Sequence, residues 1–166
     1  MSTKVLFGFV LGMMMAIDNG GPINKTAYVF SIGMLISYDY YPMAAVMAGG
    51  MIPPFVIALT ATLFKDRFEV RKDALMNYIN GISFISEGAI PFIQKESQII
   101  LPACCLSAGL AGALSMYFNC SIASPHGGLF LIWMVQNPIS YLSLIVCSTL
   151  VGTILLILFT KLKKES

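Results

Sequence analysis

Charge is scarce in this 166-residue chain: 11% of its residues are Asp, Glu, Lys or Arg, against 57% that are hydrophobic. A soluble domain carries about a quarter charged residues to solvate its surface, so the composition excludes that class. Histidine is reduced to His126 alone, and no HExxH, Walker loop or GxSxG occurs. Metalloprotease, nucleotidase and serine hydrolase chemistry therefore have no support, and no metal or cofactor is implied. The four cysteines, Cys104, Cys105, Cys120 and Cys147, show no CxxC spacing and lie in or beside apolar runs. Buried reduced thiols used as small apolar residues fit that placement, with a disulfide or metal role as the alternative. A net charge of +2 is too small to suggest nucleic acid as a partner.

What is present is hydrophobicity. A mean hydropathy of +0.81 marks an integral membrane protein. The first residues look like a secretory signal, but Asp18, Asn19, Gly20, Gly21 and Pro22 interrupt where a small-x-small cleavage site is needed, so the segment reads as retained. The apolar run over residues 5–17 is short of the roughly 20 residues needed to cross a bilayer, and a second short run covers 26–37. Two half-length helices joined by DNGGPINK resemble the discontinuous helices that build substrate sites in transporters. A plain loop between two spans is the other reading.

Residues 42–64 form a run long enough to span, rich in small residues, with Pro53 and Pro54 expected to kink it. Lys65, Arg67, Arg71 and Lys72 follow as the densest basic cluster, and Lys161, Lys163 and Lys164 follow a last span over 141–160. The positive-inside rule places both clusters in the cytoplasm. The number of crossings between them must then be even. Residues 99–118 and the last span already supply two, with Ala108 and Gly112 as a small-xxx-small contact face. Residues 74–92 are therefore expected to form a re-entrant hairpin that enters and leaves from one side, its tip near SEGA, or else to lie on the surface.

That tip carries Ser86 and Glu87 within FISEGAIPFIQKE. A carboxylate at membrane depth costs several kcal/mol unless paired or hydrated, which makes Glu87 a functional candidate; capping a helix end or sitting at the interface is the alternative. His126 occurs in a second Gly-Pro break, SPHGGLF. It reads as a solvated loop residue, a packing histidine, or a second polar wall of the same cavity.

The segments DNGGPINKTAY, AAVMAGGMIPP, NGISFISEGAIPF and SPHGGLF, in this order, resemble the membrane component, enzyme IIC, of the fructose family of the bacterial phosphoenolpyruvate-dependent sugar phosphotransferase system. Ser86 stands where the family usually has threonine, and Ser124 where it has alanine. The resemblance implies an all-α integral membrane fold: a multi-span helical transporter with discontinuous helices and a re-entrant hairpin, in a bacterial inner membrane with its C-terminus cytoplasmic. It implies a homodimer that binds a hexose, fructose first, and presents it to a phosphorylated IIB domain served by IIA. Glu87 and His126 carry over by motif as sugar contacts, and Asp18, Asn24 and Ser86 are added as further candidates. A carboxylate accepts from two neighbouring hydroxyls and a neutral imidazole donates or accepts, so the set suits a neutral, many-hydroxyl ligand. The chain corresponds to a single partial domain over 1–166, the C-terminal half of the usual IIC domain, without IIA, IIB or the N-terminal IIC helices. None of the four cysteines has the polar, strand-to-loop setting of a phosphocysteine. A truncated or split remnant that needs a partner half is the alternative, and an ion-coupled transporter using Glu87 as a proton carrier is a third class.

Overall fold

A computed structural model of the chain describes residues 2–64, 68 and 71–165; Lys65 and Arg67 of the basic cluster, and Ser166, lie outside the described residues. The protein is an all-α integral membrane protein. Its helices are α1 (Ser2–Ile17), α2 (Pro22–Ile36), α3 (Tyr41–Leu63), α4 (Arg71–Ile82), α5 (Ile90–Lys95), α6 (Ser97–Tyr117) and α7 (Pro138–Glu165). A 3-10 turn covers Ser86–Ala89, a 3-10 segment kinked at Leu131 covers Leu129–Met134, and two-residue strands β1 (Ser121–Ile122) and β2 (Val135–Gln136) pair antiparallel. Among the described residues three helices, α3, α6 and α7, are long and apolar enough to cross a membrane.

Helix α3 is the spine. Every residue from 42 to 58 is buried, because its small side chains let helices close in from several directions. It runs as one helix through Pro53 and Pro54. Helix α7 lies parallel to it: the Tyr141 hydroxyl donates to the Ala44 carbonyl, and Gly152 lies against Val56. At the far end Gln98 and Ile99 of α6 line one surface cleft with Phe159 and Lys163 of α7, so α6 runs the opposite way. The small residues of α6 receive α1. A Cβ on Gly112 would lie 2.1 Å from the Gly8 carbonyl oxygen, and one on Gly12 would lie 2.2 Å from that of Ala108, so the two backbones touch along the expected contact face.

Around these spans the chain makes three hairpins whose tips meet. The first is α1–α2. Phe7 and Phe30 pack edge to face at 5.7 Å, and Lys4, Tyr38 and Asp39 gather beside Tyr41 at the open end. The second is α4–α5. Tyr78 bonds Thr62, Gly81 lies on Phe55 and Phe84 on Gly50, so α4 climbs α3 from its C-terminal end to its middle. The chain then returns, and Phe92 meets Phe68 at 5.1 Å, leaving close to where it entered. The third hairpin lies between α6 and α7, closed at its base by β1–β2, where the Ile122 amide donates to Tyr40. Its tip reaches Met47 through Gly127. Met47 and Gly50 lie about 9 and 14 Å along α3 from Tyr41 at 1.5 Å per residue, so all three tips end inside the bundle.

Candidate functional site

The first tip is built by a change of backbone hand. Helix α1 ends at Ile17, and Asn19 and Gly20 take positive φ values of 39° and 97°. Asparagine tolerates that region and glycine enters it freely. A Cβ at Gly20 would also sit 2.6 Å from Glu87 Oε1, so the first tip lies backbone-first against the carboxylate of the second. Pro22 then opens α2, where its missing N–H and fixed φ suit the first helical position.

Asp18 serves this turn. Its two oxygens accept from the amides of Ile23 at 2.7 Å and Asn24 at 2.9 Å, which satisfies two of the donors that a helix start leaves without partners. The structure places Asp18 behind the tip as the cap of α2, away from the cleft lining. Asn24 lies on the inner side: its amide donates to the Met15 carbonyl at 2.7 Å, tying α2 to the last turn of α1, and reaches Ser86 Oγ at 3.5 Å.

The second tip turns at Phe84, whose φ is 60°, and enters the 3-10 turn that holds Ser86 buried and Glu87 exposed. Gly88 lies against the side chains of Asn77 and Asn80 on α4, which fixes the turn to its own hairpin arm. The third tip carries His126. Ser124 Oγ donates to the His126 carbonyl and accepts from its amide, and Gly128 lies against the Ile82 carbonyl at the end of α4.

Between the tips opens a cleft of about 430 Å³ lined by Asn24, Ser86, Glu87 and His126 together with Lys25, Tyr28 and Phe84. That size falls within the ~300–1,000 Å³ usual for small-molecule sites. Four of the five residues singled out from sequence line it, although His126 is 39 residues from Glu87 and 102 from Asn24 along the chain. Carboxylate, amide, hydroxyl and imidazole together offer both donors and acceptors to a polar neutral ligand, with an apolar wall from Tyr28, Phe84 and Met15. Lys25 falls within the polar break DNGGPINK without being singled out as a site residue, and Tyr28 was missed. The signal was Pro22: a helix started there puts Tyr28 one turn beyond Asn24 on the same face, whereas a run started at residue 26 separates them.

All four cysteines are free thiols, and burial pushes Cys120, beyond the end of α6, up to about 11, which keeps it protonated. Among the described residues no three His, Cys, Asp or Glu side chains gather to hold a metal.

Comparison with known proteins gives close relatives. The chain is 44% identical over 154 residues to the PTS system fructose-specific EIIB'BC component of Vibrio cholerae, covering 92% of this chain and 26% of that protein. It is 41% identical over 163 residues to the fructose permease IIC component of Bacillus amyloliquefaciens, covering 97% and 53%. With the PTS system fructose-specific EIIC component of Haloferax volcanii it shares 37% over 153 residues, covering 91% and 41%. The chain thus spans from about a quarter to about half the length of these relatives. No family model and no solved structure matches it.

Proposed function

The chain is a homologue of the fructose-specific membrane components of the phosphotransferase system over nearly its whole length, and from that premise we propose that it carries the sugar site of a IIC subunit. The observation that supports this most is the meeting of three hairpin tips in one polar cleft. Glu87 accepts from sugar hydroxyls, Asn24 and Ser86 supply an amide and a hydroxyl, and His126 adds an imidazole to the same lining. Asp18 contributes by capping α2 and so fixing Asn24. The substrate is a hexose, fructose in first place, because the relatives are named for it.

Phosphorylation falls to IIB and IIA, outside residues 1–166. A phosphorylated IIB recharged by IIA is the partner, and the N-terminal half of the IIC domain completes the bundle within a homodimer. The cleft suits delivery to them. Two tips approach from the Tyr41 end of α3 and one from the Leu63 end, so displacement of one set against the other opens the cleft toward one side at a time. Lys72, and Lys161 and Lys163 on the last turns of α7, belong to the Leu63 end, which by the positive-inside rule supports a cytoplasmic position for that end and the C-terminus at a bacterial inner membrane.

Two measurements follow. Single cysteines at Lys72 or Lys163, on a cysteine-free background, should resist an impermeant thiol reagent applied to intact cells and react in inverted vesicles. Strong labelling from outside would reverse the orientation. For the site itself, Ile85 lines the cleft and is exposed. In the assembled transporter, saturating fructose should slow labelling of Ile85→Cys at least severalfold, and an unchanged rate would remove fructose from this cleft.

A further inference from the structure

Tyr28 stands where all three tips meet. It lies on α2, its ring centroid is 6.4 Å from that of Phe84 in the second tip, and its hydroxyl donates to the Pro125 carbonyl in the third, 97 residues away in sequence. Pro125 immediately precedes His126. It has no N–H of its own, so its carbonyl is its one backbone group able to bond the surroundings. The Ser124 turn sets the internal shape of this loop, and the Gly128 contact anchors it to α4; neither ties it to α2. The Tyr28 bond does.

We propose that Tyr28 is a positioning residue for sugar binding: by bonding Pro125 it holds the His126 loop against α2, so that the imidazole lines the cleft with Glu87. This rests on the cleft being the sugar site. A tyrosine suits the task because Phe84 and the cleft wall fix its ring, so its hydroxyl reaches the loop with little rotational freedom to lose. When the bond is lost, the loop keeps its local turn but not its place relative to Asn24 and Glu87. Bound and free states then differ in the ordering of the loop, and affinity falls accordingly.

The test is fructose binding to the assembled transporter carrying Tyr28→Phe, which keeps the ring and removes the donor. The expected result is about a tenfold loss of affinity with normal membrane insertion. Because the residue acts through His126, Tyr28→Phe should add little to the loss already caused by His126→Ala. Should His126→Ala leave no measurable binding, the thiol of His126→Cys reports instead: its labelling should be faster when Tyr28→Phe is also present. Wild-type affinity in Tyr28→Phe, full additivity with His126→Ala, or an unchanged labelling rate would each overturn the proposal. Glu87→Gln in the same preparation separates the two levels. Unchanged binding there removes the sugar site itself, while weakened binding there with wild-type binding in Tyr28→Phe removes only the role of Tyr28.

Discussion

Expressed alone in a host lacking its own fructose-type system, the 166-residue chain should take up no fructose and accumulate no sugar phosphate. The reason is the open side of the cleft. Lys25, Glu87 and His126 are exposed at a level well inside the bundle, and Ile85 beside them is 44% exposed. Lipid offers no hydrogen bonds, and a charged side chain near the bilayer centre costs about 2.5–3.5 kcal/mol by insertion measurements. Two such charges, Lys25 and Glu87, need polypeptide or water over them. Supplying an N-terminal IIC half together with a phosphorylated IIB should restore uptake from background to a measurable rate. Uptake by the chain alone, with sugar phosphate formed, would show that neither partner is needed and that the cleft is closed in some other way.

The parts of this architecture that were legible in the sequence are those where composition constrains a single element. Helices α3, α6 and α7 follow from apolar runs of spanning length, and their observed bounds lie within a few residues of the expected ones for α3 and α6. For α7 the helix carries on past the apolar run at Thr160, because lysines are good helix formers and nothing in TKLKKE breaks the backbone. The α4–α5 hairpin was legible too, through charge: an even number of crossings left residues 74–92 no way to span. The α1–α2 turn was left open between a buried break and an outer loop because periodicity does not report depth. What settles it in the structure is Gly20 packed on Glu87, a contact between residues 67 positions apart that no local pattern encodes. Asp18 illustrates the same limit. A carboxylate in a polar break marks it as a candidate sugar contact, and its bonds to the amides of Ile23 and Asn24 are visible only in the fold. The bond of Tyr28 to Pro125 was invisible for a related reason, since it depends on two hairpins meeting.

Replacing Glu87 by glutamine is the second substitution with a large expected effect. The two side chains have nearly the same shape, so the packing of Gly20 on the second tip and the insertion of the chain are preserved. What changes is hydrogen-bonding sense. A carboxylate accepts at both oxygens, whereas a carboxamide accepts at one and donates at the other, which leaves one sugar hydroxyl facing a donor. Neighbouring groups do not repair the mismatch easily: Asn24 is already committed to the Met15 carbonyl, and Ser86 is buried beside it. Leaving a polar group unmatched in a partly enclosed site costs about 1–3 kcal/mol, a tenfold to hundredfold loss of affinity. The measurement is the equilibrium affinity for fructose of the assembled transporter in membranes, wild type against Glu87→Gln, at equal protein content. The cleft described here predicts binding weakened at least tenfold in Glu87→Gln, and equal affinity of the two proteins would contradict it.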